Sequence, residues 1–270
     1  MSESDFTSAG VASTGVAPAR SVLVTGGGRG IGAATSWWCA QQGWAVVVNY
    51  ATGAAAAESM ATRIRAGGGC ALAVQADVAD EGQVLAMFEW IDAEVRAGRL
   101  PPLQALVNNA GVVDVPVRVD EMSVVRLQRM FAVNVIGSIV CAREAVKRLS
   151  TKHGGAGGVI VNLSSAAARL GSPGQYVDYA AAKGAIDVFT LGLAKEVALE
   201  GIRVNAVRPG IIATDIHASG GQPDRAAEMA PMVPMQRAGS AEEVAEAIVW
   251  LLSDASSYTT GATIDVAGAR

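Results

Sequence analysis

The sequence predicts an α/β fold: one doubly wound, seven-stranded parallel sheet with helices on both faces. Three observations predict it. Short apolar, β-branched runs alternate with helical stretches along nearly the whole chain. Several of those runs are apolar almost throughout, as strands are when both sheet faces are covered. A glycine-rich turn joins the first run to the first helical stretch, the strand–turn–helix order that opens such a sheet.

The strands are expected at Val22–Thr25, Ala45–Asn49, Cys70–Gln75, Leu103–Val107, Val159–Leu163, Arg203–Val207 and Ala262–Val266. The first breaks into Gly26-Gly-Gly-Arg-Gly-Ile-Gly32, and a helix is expected to continue through Gln42. The third ends at Asp77-Val78, the fourth at Asn108-Asn-Ala-Gly111, the fifth at Ser164-Ser165 and the sixth at Arg208-Pro-Gly210. Each polar or glycine-bearing motif follows a strand's carboxyl end or lies on the next helix, where doubly wound sheets bind ligands. With 270 residues, 51% of them hydrophobic, residues 21–270 suffice for one domain with a large core.

Two segments stand outside the pattern. Residues 1–20 lack periodicity, a basic start and an apolar block, so they read as a flexible lead-in rather than a signal or membrane span. A cytoplasmic protein is expected. Residues 215–238 are rich in Gly, Pro and Met, and a structureless stretch of that length reads as a substrate lid. Met229, Met232 and Met235 could line an adaptable apolar pocket or simply fill gaps against the core. The apolar helix Val244–Leu252 is either core or partly an interface.

Tyr179 and Lys183 lie four apart in Tyr-Ala-Ala-Ala-Lys, on one face of a helix. A free phenol has a pKa near ~10, and a neighbouring ammonium is expected to favour the phenolate and lower that value. The pair is therefore a candidate proton-transfer device, with Tyr179 as general acid or base. A hydroxyl at the end of the fifth strand would hold a substrate oxygen as charge develops. Neighbouring side chains point to opposite sides, so either Ser164 or Ser165 serves, not both. The glycine turn fits two spacings, Gly28-x-Gly30-x-x-Ala33 and Thr25-Gly26-x-x-x-Gly30-x-Gly32.

In the second spacing, and with Asn108-Asn-Ala-Gly111, Ser164-Ser165, Tyr179-x-x-x-Lys183, Asn134 in Val133-Asn-Val-Ile-Gly137, and Arg208-Pro-Gly210, the chain resembles a classical short-chain dehydrogenase/reductase. The resemblance runs from about Ser21 to Gly268. The stretch from Arg169 to Tyr179 is similar to bacterial members described as sugar dehydrogenases or 3-oxoacyl reductases. The resemblance implies a Rossmann-type fold, a catalytic set of Asn134, Ser165, Tyr179 and Lys183, and self-association, most often as a homotetramer. It gives Lys183 a second task, hydrogen-bonding the nicotinamide ribose. It gives Asn134 a backbone carbonyl that holds a water in a proton relay. It favours Ser165, although the linker from Ser165 to Tyr179 is about one residue longer than in many relatives, which keeps Ser164 open.

For the cofactor, Gly26, Gly30, Ile31 and Gly32 would carry the pyrophosphate turn. A carboxylate after the second strand would select a free ribose 2′-OH. Asn49-Tyr50 stands there instead, with no acid, and Arg29 can meet a 2′-phosphate, which predicts NADP(H) over NAD(H). Asp77 and Val78 should contact the adenine, and Asn109, Ala110 and Gly111 should pack along the cofactor. Pro209, Gly210, Ile212 and Thr214 should enclose the nicotinamide amide.

The expected function is NADP(H)-dependent hydride transfer between a carbonyl and a secondary alcohol. Oxidation of a sugar or polyol is the alternative, and a catalytically silent dinucleotide-binding regulator is the reading from another class. A net charge of −4 without a basic stripe argues against nucleic acid as a partner. The three cysteines lack paired spacing and read as reduced thiols. The two histidines suggest no metal site.

Overall fold

The computed structural model describes residues 18–216 and 220–270; most of the expected lead-in, and residues 217–219 of the expected lid, lie outside them. Seven strands form one parallel sheet: β1 (Ser21–Val24), β2 (Ala45–Tyr50), β3 (Ala71–Gln75), β4 (Leu103–Asn108), β5 (Gly158–Leu163), β6 (Ile202–Pro209) and β7 (Thr263–Val266). Their spatial order is β3-β2-β1-β4-β5-β6-β7. All seven expected strands are present, with ends displaced by one or two residues, the usual scatter at fraying termini.

The order reverses between β1 and β4, so the loops leaving those strands diverge and open a crevice. Register aligns the carboxyl ends there: Val24 pairs with Val48 on one side and Val107 on the other. Strands β1, β2, β4 and β5 are buried almost end to end because helices cover both faces. On one face lie α1 (Gly30–Gln41), α2 (Ala54–Ala66) and, late in the chain, an apolar helix at Ala241–Leu252. On the other lie α3 (Glu81–Arg96), the helical run through Val124–Leu149, and a helix at Val177–Val197.

That run consists of α4 (Val124–Phe131), a π-helical stretch (Ala132–Gly137) and α5 (Ser138–Leu149). By length and composition it could cross a membrane. Here Cys141, Ala142, Ala145 and Leu149 pack it onto the sheet. After β5 come the single turn α6 (Ala167–Leu170) and the long α7 (Val177–Val197).

A buried polar ladder sets the height of α7. Asn108 Nδ2 donates to Asn162 Oδ1 (2.9 Å) and to the Ser138 carbonyl (3.0 Å). Asn162 Nδ2 donates to Thr190 Oγ1 (2.9 Å), tying two strands to two helices. The amide N–H groups of both asparagines are satisfied in this way, while Asn108 Oδ1 is left buried without a partner among the described residues.

The expected lid contains two short helical pieces, α8 (Arg225–Met229) and a 3₁₀ turn (Ala230–Met232). Met232 and Met235 are exposed and neither lines the cavity beside Tyr179, although Met235 borders a separate pocket with Ile212, Val233 and Val266. α9 (Ala241–Leu252) begins with a Ser240–Glu243 capping box and buries Val244, Ala245, Ile248, Leu251 and Leu252 in the core, with Trp250 left exposed on the other face.

Candidate active site

The glycine turn is held from behind by side chains. Thr25 Oγ1 accepts from the N–H groups of Asn109 (2.9 Å) and Ala110 (3.0 Å), joining the loops after β1 and β4. Asn109 Nδ2 donates to the Thr25 carbonyl (2.8 Å) and the Gly26 carbonyl (3.1 Å). Asn49 Oδ1 accepts from Gly26 N–H (3.3 Å) while its Nδ2 donates to the Ala76 carbonyl (3.0 Å). Asn49 is therefore buried scaffold for the loop, and its side chain is fully engaged within the protein.

Gly26 (φ +62°) and Gly30 (φ +51°) take the left-handed backbone that turns the chain into α1. A Cβ on Gly32 would sit 2.2 Å from the Gly26 carbonyl oxygen, so only glycine fits where helix and loop meet. The first turn of α1 has no acidic residue, and Arg29 at its cap makes no side-chain capping bond. Its leading N–H groups and helix dipole thus face the crevice without a built-in anion.

One side of the crevice is a groove of about 200 Å³. Arg29, Tyr50, Thr52, Asp77, Val78 and Val133 line it, with Ala110 and Gly111 at its floor. No acid occurs from Tyr50 through Gly53, and the Arg29 Nε lies within 4 Å of the position a Gly53 Cβ would take. Arg29 makes no ion pair among the described residues. Asp77 is held by Arg129 (3.1 Å) and by Ala79 N–H (3.0 Å). Arg129 and Val133 escaped the sequence reading as groove residues, because the helical run from Val124 to Leu149 reaches the end of β3 only through tertiary packing, and Thr52, two residues after Tyr50, was not singled out.

On the other side a cavity of about 170 Å³ is bordered by Tyr179, Ser165 and Lys183. Pro209, Gly210, Ile212 and Thr214, with Ile31, close its near wall. Thr214 also stands over Gly30, so the loop after β6 covers the glycine turn. Ser165 and Ser164 diverge as alternation demands. Ser165 faces the Tyr179 hydroxyl, whereas buried Ser164 donates to the Lys183 carbonyl (3.2 Å) and braces α7.

The Lys183 ammonium sits 5.6 Å from the centre of the Tyr179 ring and donates to the Leu163 carbonyl (2.7 Å). Burial pushes its pKa down to about 8, opposed by the Asp187 carboxylate one turn on. Tyr179 departs from expectation. Burial pushes its phenol up to about 12, with the Ser165 hydroxyl acting the other way, and Lys183 does not lower it. The helical spacing did bring the pair to one face, but the ammonium is turned toward β5 instead of the phenol.

Asn134 lies fully buried in the π-helical stretch, where its backbone carbonyl accepts from Ser138 Oγ (3.4 Å). Its Oδ1 accepts from Val112 N–H (3.2 Å) and its Nδ2 donates to the Val112 carbonyl (3.0 Å). A Cβ on Gly111 would meet both Asn134 Oδ1 (2.8 Å) and Lys183 Nζ (3.6 Å), which shows how closely the three converge.

Over the cavity mouth, the Tyr176 hydroxyl donates to Gln222 Oε1 (2.6 Å) and Arg225 stacks on the Tyr176 ring at 5.1 Å. Arg225 and Arg270 line the same cavity, although 45 positions separate them in the chain. No local motif marks either one; only the fold brings them to Tyr179.

Residues 26–268 match the family described as enoyl-(acyl carrier protein) reductase. An uncharacterized oxidoreductase of Escherichia coli K12, YgfF, is 55% identical over 248 residues, 92% of this chain and 98% of that one. A 3-oxoacyl-[acyl-carrier-protein] reductase of Synechocystis is 38% identical, covering 93% of this chain and 96% of its own. A short-chain dehydrogenase from Burkholderia cenocepacia, solved in complex with NADP, superposes with a TM-score of 0.82 at 31% identity over 93% of this chain and 98% of that chain. The class is thus oxidoreductase. The chain belongs to the classical short-chain dehydrogenase/reductase family.

Proposed function

We propose that the chain is an NADP(H)-dependent oxidoreductase that interconverts a carbonyl compound and its alcohol, with Tyr179 as the general acid or base. The observation that carries this reading is the meeting of Tyr179, Ser165 and Lys183 on one cavity beside the glycine turn. The turn fits a dinucleotide: the α1 N-terminus is uncapped by any side chain, and Gly32 sits where no Cβ could. The N–H groups from Gly26 to Gly32 would hold the pyrophosphate, and Arg29 would meet a 2′-phosphate. Asp77 and Val78 would border the adenine, and Ile31, Pro209, Gly210, Ile212 and Thr214 would enclose the carboxamide end. When bound, the nicotinamide supplies or accepts the hydride.

Tyr179 would deliver its proton to the carbonyl oxygen in reduction and recover it in oxidation. A phenol with a pKa of about 12 is fully protonated at neutral pH, the form needed for reduction. Ser165 would steady the same oxygen by a hydrogen bond. Lys183, charged below its pKa of about 8, would bind the ribose, and the Asn134 carbonyl would hold a water that links it to solvent. Val113, Leu170, Ile211 and Ile216 give the substrate side an apolar lining, which supports a ketone or aldehyde over a polyol. The name of the Synechocystis relative and the NADP bound to the Burkholderia protein support the same direction. Exposed Val188 and Leu191 on α7 support self-association.

The test is titration of NADPH and NADH by tryptophan quenching, beside turnover of Tyr179→Phe. NADPH should bind more tightly, and Tyr179→Phe should lose about 10²- to 10⁴-fold in kcat with cofactor affinity kept. A silent regulator would show no turnover for the substitution to abolish. Tighter NADH binding would overturn the cofactor assignment.

A further inference from the structure

The cavity beside Tyr179 has three cations in its wall, Lys183, Arg225 and Arg270, and no aspartate or glutamate among its described lining residues. Two of the cations are engaged within the protein. Lys183 donates to the Leu163 carbonyl (2.7 Å). Arg225 donates to Gln222 Oε1 and Gln175 Oε1, both at 2.7 Å, and stacks on Tyr176. Arg270 differs: its Nη1 is shut off from solvent and has no hydrogen-bond partner among the described residues.

The backbone is shaped to bring it there. After β7, Gly268 (φ +60°) and Ala269 (φ +69°) both take the left-handed conformation, and Arg270 N–H closes the turn onto the Ala267 carbonyl (3.2 Å). A non-glycine residue in that region is strained and persists only where its surroundings enforce it, as at ligand clamps. Those surroundings come from the segment before α9. Met235 N–H donates to the Gly268 carbonyl (3.3 Å), and Val233 packs so tightly that a Cβ on Gly268 would lie 2.6 Å from it.

The Arg270 guanidinium borders the cavity and makes no hydrogen bond or ion pair among the described residues, and a carboxylate matches its forked donors best. Arg270 borders the same cavity as Tyr179 and Ser165, so the anion and the reacting carbonyl belong to one molecule. We infer that Arg270 is the recognition site for a carboxylate on the substrate, so that the substrate class is oxo acids and their hydroxy-acid counterparts. This rests on the oxidoreductase reading above for the reaction, though not for the binding.

The experiment is calorimetric titration of the whole chain, with and without NADPH, using 3-oxobutanoate and 4-oxopentanoate, each against its neutral primary amide. NADPH oxidation is followed in parallel. The wild type should bind at least one acid about 10- to 100-fold more tightly than its amide, as a charged hydrogen-bonded pair provides. Arg270→Gln should bring that ratio close to one, and Arg270→Lys should restore part of it. Equal binding of acid and amide by the wild type overturns the inference, whatever the variants do. So does a preference that survives in Arg270→Gln, or the absence of measurable acid binding. An Arg270-dependent preference without any hydride transfer would leave this site standing and remove the proposed reaction. Reduction of neutral ketones with no acid preference would do the reverse.

Discussion

Arg126 and Asp178 form an ion pair whose removal should be felt in both stability and catalysis. Their side chains are 7% and 0% exposed, with Nε to Oδ2 at 2.7 Å and Nη2 to Oδ1 at 3.2 Å. Arg126 Nη1 also donates to the Val115 carbonyl (2.6 Å), so one guanidinium ties α4, the loop after β4 and the first turn of α7. Arg126→Met would strand a buried carboxylate, a loss worth about 3–5 kcal/mol. Asp178 lies in the first turn of α7, where the helix dipole returns up to about 1 kcal/mol. The net expectation is about 2–4 kcal/mol, or about 5–15 °C in Tm for a chain of this size, with protein concentration held fixed. Because Asp178 immediately precedes Tyr179, kcat should fall while NADPH affinity holds. Arg126→Met with Asp178→Leu removes both charges and should recover to within about 1 kcal/mol of the wild type. Urea unfolding of the wild type, both single variants and the double variant closes the cycle. If Arg126→Met alone costs less than about 1 kcal/mol, or if the double variant is as unstable as the sum of the singles, the pair does not act as argued.

Two further outcomes are expected. Gly32→Ala places its Cβ 2.2 Å from the Gly26 carbonyl oxygen and 2.5 Å from Asn109 Nδ2, forcing the glycine turn apart. It should cost about 1–3 kcal/mol and weaken NADPH binding at least tenfold, and wild-type affinity in a quenching titration would contradict the packing argument. Lys183 has its pKa lowered by burial from 10.5 to about 8, so between those values the unfolded chain holds a proton that the folded chain has released. Stability relative to Lys183→Met should therefore rise with pH across that window, by about 3 kcal/mol at about 1.4 kcal/mol per unit, and stay flat below pH 8. Tyr179 acts in the opposite sense between pH 10 and about 12, where its raised pKa makes stability fall, but that contribution is common to both proteins and cancels. Chemical denaturation from pH 7 to 10.5 measures the difference, and a falling curve would show that Lys183 is not desolvated.

The sequence by itself determined the elements and their roles in the scaffold. Strand and helix periodicities are local, so all seven strands could be placed from residue order, and the glycine turn had to follow β1 because few other residues allow its backbone. The Tyr179–Lys183 spacing fixed those two side chains to one helical face for the same local reason. Tertiary structure decided everything that depends on environment. Which serine faces Tyr179 followed from the docking of α7, which takes Ser164 for itself. Burial raised the Tyr179 pKa where charge proximity alone had suggested lowering it, since the Leu163 carbonyl turns the ammonium aside. Asn49 braces the glycine loop while it still borders the groove, and Arg129, Arg225 and Arg270 entered the crevice from distant positions. Desolvation and long-range contact are properties of the folded packing, and no spacing along the chain encodes them.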